Sequence, residues 1–382
     1  MKATTQTHVP FDEGALHDVL DAWRAQFPQA GIFALVAEAD RQHLPLLQSA
    51  CRERQLPLMG GVFPALITPS GFESHGVCLC CLAQRPEFFL LDADALGSGG
   101  TAMAQATLKA LETTSTGGEQ PTLFMVFDGL LPDIASRLDE LYLELADRVK
   151  YAGVNAGSET FSPIGCVFTT DACVAGGMLG MLWPTDVQTV VEHGYPAPDS
   201  FVLATTTAGN RVAQIDWRPA FDVYQQLIRD HYGVALTPDN FYQYGVHFPI
   251  GLVRASDQVL IRIPVGLEPD GSLICIGEVP ENSMLMLMQA PPPDDPACMA
   301  RVVSALPPLA PDECAPLLVF YCAGRRLHMA NGASQELATL ARHTGARSVV
   351  GALTLGEIGT GAQGGYPLFH NAALVISVGA CA

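Results

Sequence analysis

Apolar residues fall in short dense runs joined by helical stripes, and three segments of the chain share one plan. The first runs from Gly31-Ile32-Phe33-Ala34-Leu35-Val36 through a helix near His43–Arg54 to Leu56–Met59, which ends on Gly60-Gly61. The second opens with Leu123–Phe127, breaks at Asp128-Gly129 and places Pro132 at a helix start, where its missing N–H removes no hydrogen bond. Ile134, Leu138, Leu141, Leu145 and Val149 then share one helix face, and the unit ends at Tyr151–Gly157. The third runs Pro316–Cys322, turns at Ala323-Gly324-Arg325-Arg326, forms a helix around Ala333–His343 and returns through Ser348–Val350 to Gly351. This spacing predicts α/β units with mixed sheets flanked by helices, whose strand-end loops gather on the edge where such folds hold ligands.

Further strand-like stretches lie at Gly76–Ala83, Phe88–Asp92, Asp186–Glu192, Phe201–Thr206, Val259–Ile263 and Leu273–Gly277. Some stand too close together for crossover helices and must pair antiparallel. Near Ile215–Pro219 an alternating strand, Arg211–Asp216, meets a helix opened by Pro219 and striped by Ala220, Tyr224, Leu227, Ile228 and His231. Two domains are expected there, 1–215 and 216–382. Pro291-Pro292-Pro293-Asp294-Asp295 reads as a semi-rigid connector.

Composition sharpens this picture. With 382 residues, 49% of them hydrophobic and 15% charged, the chain carries ample material for a large core. Its formal charge of −19 repels phosphate backbones and anionic headgroups, which speaks against nucleic acid or membrane as a direct partner. The longest apolar stretch, Cys173–Trp183, is interrupted by glycines and falls well short of the roughly 20 residues a spanning helix needs. The N-terminus shows no secretory h-region, and the 11 cysteines sit inside apolar segments rather than along loops. A cytoplasmic protein with reduced core thiols is expected.

Motifs add little chemistry. Gly359-Thr360-Gly361-Ala362-Gln363-Gly364 matches G-x-G-x-x-G, but a strand-like run follows where dinucleotide binding requires a helix N-terminus, so the reading is a glycine-rich loop. Cys78-Leu79-Cys80-Cys81 lies within a strand-like run and reads as core. No H-E-x-x-H, nucleophile elbow, P-loop or EF-hand loop is present, and no catalytic reading has positive support.

Among the ten histidines, His231 reads as a core-edge residue, while His343, His328 and His193 read as solvated. His247, among the aromatics of Tyr244–Pro249, and His370, beside the glycine-rich loop, are the better candidates for an axial metal ligand, each with a structural role as the alternative. Cys322 at a strand tip is a candidate thiolate ligand or a buried cysteine. Arg325 follows a strand end, where a guanidinium clamps a carboxylate bidentately, and Glu357 could receive an amine; equally, the two could pair with each other.

These residues carry a resemblance. Gly351–Gly359 with Leu368-Phe369-His370-Asn371, Val319–Arg325, Val212–Asp216 with Pro219–Tyr224, and Tyr151–Ser158 are together similar to segments of FIST proteins, a sensory family with linked N- and C-terminal domains. Gly60–Ile67 stands where the family often has a more polar run, which favours a more apolar pocket on that side. The resemblance implies ligand sensing rather than catalysis, with Arg325, Gly356, Glu357 and Asn371 as ligand contacts. In NosP-like members the ligand is haem, the signal nitric oxide, and the receiver a histidine kinase or a cyclic-di-GMP enzyme. By that analogy His370, then His247 and Cys322, would hold the iron. A sensor of an amino acid or similar metabolite and a ligand-free interaction scaffold are the alternatives.

Overall fold

The computed structural model describes residues 6–114, 120–183, 188–254, 258–293, 295–306, 317–344, 346, 349–360 and 365–378. The three segments of common plan become three copies of one α/β unit. In each, an apolar strand crosses through a helix to a parallel neighbour: Gly31–Ala37 with Leu58–Phe63, Thr122–Asp128 with Lys150–Ala156, and Leu317–Cys322 with Val349–Thr354. An antiparallel strand closes the other side of each centre: Val77–Leu82, Met178–Trp183 and Leu374–Val378. Edge strands Gln6–Val9, Glu87–Leu91 and Gln188–Glu192 complete the pattern. The central strands are buried on both faces, which is why they read as continuous apolar runs rather than alternating ones.

The copies are tied by exchanged hairpins. The hairpin Leu66–Thr68/Gly71–Glu73 of the first unit pairs with the third unit's Val349–Thr354. Val167–Thr169/Cys173–Val174 of the second joins the first unit's Leu58–Phe63. Glu357–Thr360/Pro367–His370 of the third joins the second unit's Lys150–Ala156. Each unit thus gives a hairpin to one neighbour and receives one from the other, so the three sheets are bound to one another by backbone hydrogen bonds. One core lies between them, where Phe124 of the second sheet stands 5.8 Å from Phe33 of the first and 5.7 Å from Phe320 of the third, which in turn lies 6.1 Å from Phe63.

The third unit is split. After its edge strand, an antiparallel eight-stranded sheet (Val202–Ala208 to Met284–Leu287) intervenes before the helix Pro296–Ser304 and the strand Leu317–Cys322. The helix Ala220–Tyr232 packs Ala220, Phe221, Tyr224 and Ile228 into this sheet's own core. Gln188–Glu192, which precedes residue 215, still pairs with Leu374–Val378 at the far end of the described chain.

Several sequence expectations need correction. Gly60-Gly61, Gly153 and Gly351 do not end their strands but lie inside Leu58–Phe63, Lys150–Ala156 and Val349–Thr354. At Gly60, Gly153 and Gly351 the parallel neighbour's carbonyl oxygen leaves no room for a Cβ, whereas at Gly61 a Cβ would press on the Phe63 ring and Ala156. Ala323–Arg326 is not a turn but the start of the helix Ala323–Met329. His231 is exposed rather than on the core edge. Gly361–Gly364 lie outside the described residues; strands, not a helix, flank them. Cys78, Cys80 and Cys81 are core residues of Val77–Leu82. Among the described residues no helix is long and apolar enough to cross a membrane.

Candidate functional site

Cys322 and Thr354 are the last register partners of the third unit's parallel pair, at its C-terminal edge. The chain reverses through Leu355-Gly356, where a Cβ on Gly356 would meet the Phe369 ring at 2.4 Å, and brings in Glu357. Thr354 Oγ1 donates to Glu357 Oε1 at 2.6 Å, and the Ala373 N–H points to Oε2 at 3.4 Å. Glu357 has 0% exposure, and that burial pushes its carboxyl up to about 8 against the pull of these donors. At neutral pH it is largely the neutral acid. Burial also raises the Cys322 thiol, with the Glu357 charge adding, so Cys322 is a protonated core thiol and not a ready thiolate.

His370 is Glu357's register partner across the hairpin, so both side chains rise from one face of the sheet. Its ring is 2% exposed, and neither Nδ1 nor Nε2 has a hydrogen-bond partner. Burial, reinforced by nearby His193 and Arg262, holds the imidazole down to about 3, so it is neutral at physiological pH. The adjoining Asn371, 1% exposed, has neither its amide oxygen nor its amide nitrogen bonded. Asn155 Oδ1 and Tyr195 Oη are likewise buried and unpaired. Leaving such groups unsatisfied costs about 1–3 kcal/mol each, so a set of them in one region asks for partners the protein does not supply.

Arg325 does not pair with Glu357. The helix Gly332–Thr344 turns Glu336 inward with Ala333, Leu337 and Leu340, and Glu336 takes Arg325 Nε at 2.9 Å and Nη2 at 2.7 Å. Nη1 donates to the His193 and Ala372 carbonyls, at 2.6 and 3.0 Å, and Nη2 also reaches Cys298 Sγ at 2.9 Å. The Tyr321 hydroxyl completes the site by donating to Glu336. All of the guanidinium's N–H donors are thereby committed, and the carboxylate clamp expected of Arg325 is filled from within. Glu336 was missed; the signal for it was a carboxylate inside an apolar helical stripe.

His247 lies apart from this cluster, half-buried, with Nδ1 2.7 Å from Nδ1 of His328. His328 Nε2 donates to the Pro291 carbonyl at 2.6 Å, so its Nδ1 is the acceptor and His247 the donor. His328 is therefore not solvated, and neither is His193. The Tyr195 N–H occupies His193 Nδ1 at 2.9 Å, and Nε2–H faces the Val259 carbonyl at 3.1 Å. His343 is exposed, as expected. Among the described residues no three His, Cys, Asp or Glu side chains are grouped to hold a metal ion.

The residues fit one part of a haem site: His370 offers a neutral imidazole with free ring nitrogens. The ring is enclosed, however, and lines neither the cleft of about 50 Å³ nor the groove of about 10 Å³ found on the molecule. A macrocycle would need the hairpin Glu357–His370 to move.

The cluster also predicts a pH profile. Glu357's value lies above its ordinary 4.5, so its contribution to stability is complete below 4.5 and is lost as pH rises through about 8. His370's value lies below its ordinary 6.5, so its contribution is complete above 6.5 and is lost as pH falls towards about 3. Each slope is at most ~1.4 kcal/mol per pH unit, and the two oppose each other between 4.5 and 6.5. Urea unfolding across pH should show Glu357→Gln flattening the limb above 6.5 and His370→Gln the limb below 4.5, while between those values each variant leaves the other group's slope unopposed. Unchanged limbs in both variants would refute this electrostatic picture.

Residues 29–218 match the FIST N domain and residues 220–360 the FIST C domain. The matches meet between the strand Arg211–Ile215 and the helix Ala220–Tyr232. Among curated proteins, none matches the chain. FIST domains are sensory domains of signal transduction. With both domains present in order, and the three-unit core and its split third copy built across them, the chain belongs to the FIST family.

Proposed function

We propose that this protein is a sensor in which the enclosed polar cluster of Glu357, His370 and Asn371 takes a small polar metabolite and passes the event to a separate signalling protein. One observation carries the reading: both side-chain polar atoms of His370 and both of Asn371 are buried without partners. A neutral acid, a neutral imidazole and an amide offer donors and acceptors without net charge. They suit a ligand that both gives and accepts hydrogen bonds, such as the amide or amine end of an amino acid. With Arg325 held by Glu336, a ligand carboxylate has to find its counter-charge elsewhere. Because the cluster is closed, entry requires the Glu357–His370 hairpin to loosen from its neighbours. That hairpin belongs to the third unit in sequence and to the second in pairing. A ligand that binds one of its positions better than the other shifts the surface offered to a partner.

A second reading, haem with nitric oxide as the signal and a histidine kinase or cyclic-di-GMP enzyme as receiver, is favoured by the neutral imidazole of His370, neither of whose ring nitrogens has a hydrogen-bond partner. When bound, haem supplies an iron that takes the gas; the chain supplies the imidazole and an apolar surround. The test is a haem titration followed by absorption, alongside a thermal-shift screen of amino acids and related metabolites. A saturable rise in melting temperature that disappears in Asn371→Ala supports the metabolite reading. A stoichiometric Soret band that moves with nitric oxide and collapses in His370→Ala selects the haem reading instead. If neither appears, both fail and a ligand-free scaffold takes their place.

A further inference from the structure

Two arginines are completely buried in the described structure, and they are treated differently. Arg325 meets the carboxylate of Glu336, whereas Arg262, 1% exposed, is offered only carbonyls and the face of the Phe369 ring, whose centroid lies 5.5 Å from its guanidinium carbon. Its Nε donates to Glu278 O at 2.9 Å, and Nη1 to Ile261 O and Phe369 O at 3.0 Å each. Carbonyl dipoles orient a guanidinium without cancelling its charge, and a buried unpaired charge is costly.

Arg262 forms part of the wall of the 50 Å³ cleft, between the inserted sheet and the second unit's helix Ile134–Leu145. Arg254, half-buried, lines the same cleft, and Leu252, Leu260, Leu368 and Phe369 make its apolar sides. Among the described residues, no carboxylate lies within ion-pair distance of either guanidinium. The two acidic residues of the lining are already engaged. Glu278 caps the helix, accepting from Ala135 N at 2.7 Å, Ser136 N at 3.2 Å and the Ser136 hydroxyl, and Asp139 accepts from Tyr366 Oη at 2.6 Å.

We propose that this cleft is an oxyanion-binding site, in which Arg262 and Arg254 together receive one carboxylate or phosphate group of a small ligand while the apolar walls hold its neighbouring atoms. Burial lowers the Arg262 guanidinium to about 10, outweighing the pull of the nearby Cys275 and Glu278, and the like charge of Arg254 adds to the drop. The site is distinct from the polar cluster, yet it adjoins it: Arg262 holds the carbonyl of Phe369, the residue before His370. An occupant would thus bear on the hairpin that closes the cluster.

Calorimetric titration of the full chain with sodium phosphate, sodium acetate and sodium succinate, against sodium chloride at equal ionic strength, tests this. Saturable binding of phosphate alone, or of the carboxylates alone, supports the site and names its chemistry. Arg254→Gln should weaken that binding by about tenfold or more, and Arg262→Gln should abolish it. Arg254 is half-buried, so its variant is the informative one if Arg262→Gln does not fold. No binding above chloride by any of the three, or undiminished binding in Arg254→Gln, overturns the proposal.

Discussion

Replacing Glu336 with alanine should lower the free energy of unfolding by about 3–5 kcal/mol, because it strands a guanidinium that has no access to water. Arg325 is 0% exposed and Glu336 5%, and the pair is bidentate. The Arg325 charge also stands over the Tyr195 and Tyr321 rings, with its carbon 5.4 and 5.9 Å from their centroids. These contacts assist a cation but cannot neutralise one. The pair reaches beyond its own helices, since Arg325 also binds the carbonyls of His193 and Ala372. Ala372 sits in the turn that joins His370 to the last described strand, and it has a positive φ of 54°. Loss of Glu336 should therefore loosen the turn beside the polar cluster as well as the helix. The double variant Arg325→Met/Glu336→Leu removes both charges and should recover much of the loss, as buried pairs replaced by apolar side chains often do. Urea unfolding of the two variants decides the matter. A Glu336→Ala change within ~0.5 kcal/mol of wild type would mean that the pair does not hold this region together.

Much of the architecture was legible because the units repeat a simple physical code. Strands buried on both faces must be apolar throughout, and crossover helices must carry one apolar stripe, so Gly31–Val36, Leu123–Phe127 and Pro316–Cys322 stood out with their helices. The exchange of hairpins was not legible. Leu66–Thr68 and Gly71–Glu73 look like any short hairpin, and nothing local states which sheet receives them. Glycine misled for a related reason. It signals a turn when its backbone freedom is used, but at Gly60, Gly153 and Gly351 only its missing side chain is used, and that depends on a neighbour distant in sequence.

The site was legible in parts. Glu357 drew notice as a polar residue in apolar surroundings, His370 as a candidate ligand beside the glycine-rich loop and Asn371 through the family resemblance, and all three are buried. The partners of Arg325 and His247 were not foreseen, since Glu336 and His328 meet them only after the helices Ala323–Met329 and Gly332–Thr344 have packed. Arg262 was invisible for the same reason. In Val259-Leu260-Ile261-Arg262 it resembles the polar end of a strand, and only the packing of the inserted sheet against the second unit buries it.

Those same glycines lead to the largest effect expected of a small substitution. Each pairs in parallel register with the middle of its unit's central strand: Gly60 with Ala34, Gly153 with Met125, and Gly351 with Val319. A Cβ on Gly351 would lie 1.6 Å from the Val319 carbonyl oxygen; on Gly60, 1.9 Å from that of Ala34; on Gly153, 2.4 Å from that of Met125. These obstacles are backbone atoms of a buried strand, so no rotamer change can relieve the clash. The strands must separate, which weakens the parallel ladder and opens the core on both sides. Gly351→Ala should cost about 3 kcal/mol or more, at or beyond the upper end of ordinary overpacking, and Gly351→Val should yield no folded protein. The cost should fall in the order Gly351, Gly60, Gly153, following the clearances. Gly31→Ala is the control, because its Cβ would first meet the flexible end of Met59 at 3.2 Å, and it should cost less than any of the three. Thermal and urea unfolding of the four alanine variants gives the order directly. If Gly351→Ala proved no worse than Gly31→Ala, the close approach of the parallel strands could not be what these positions are glycine for.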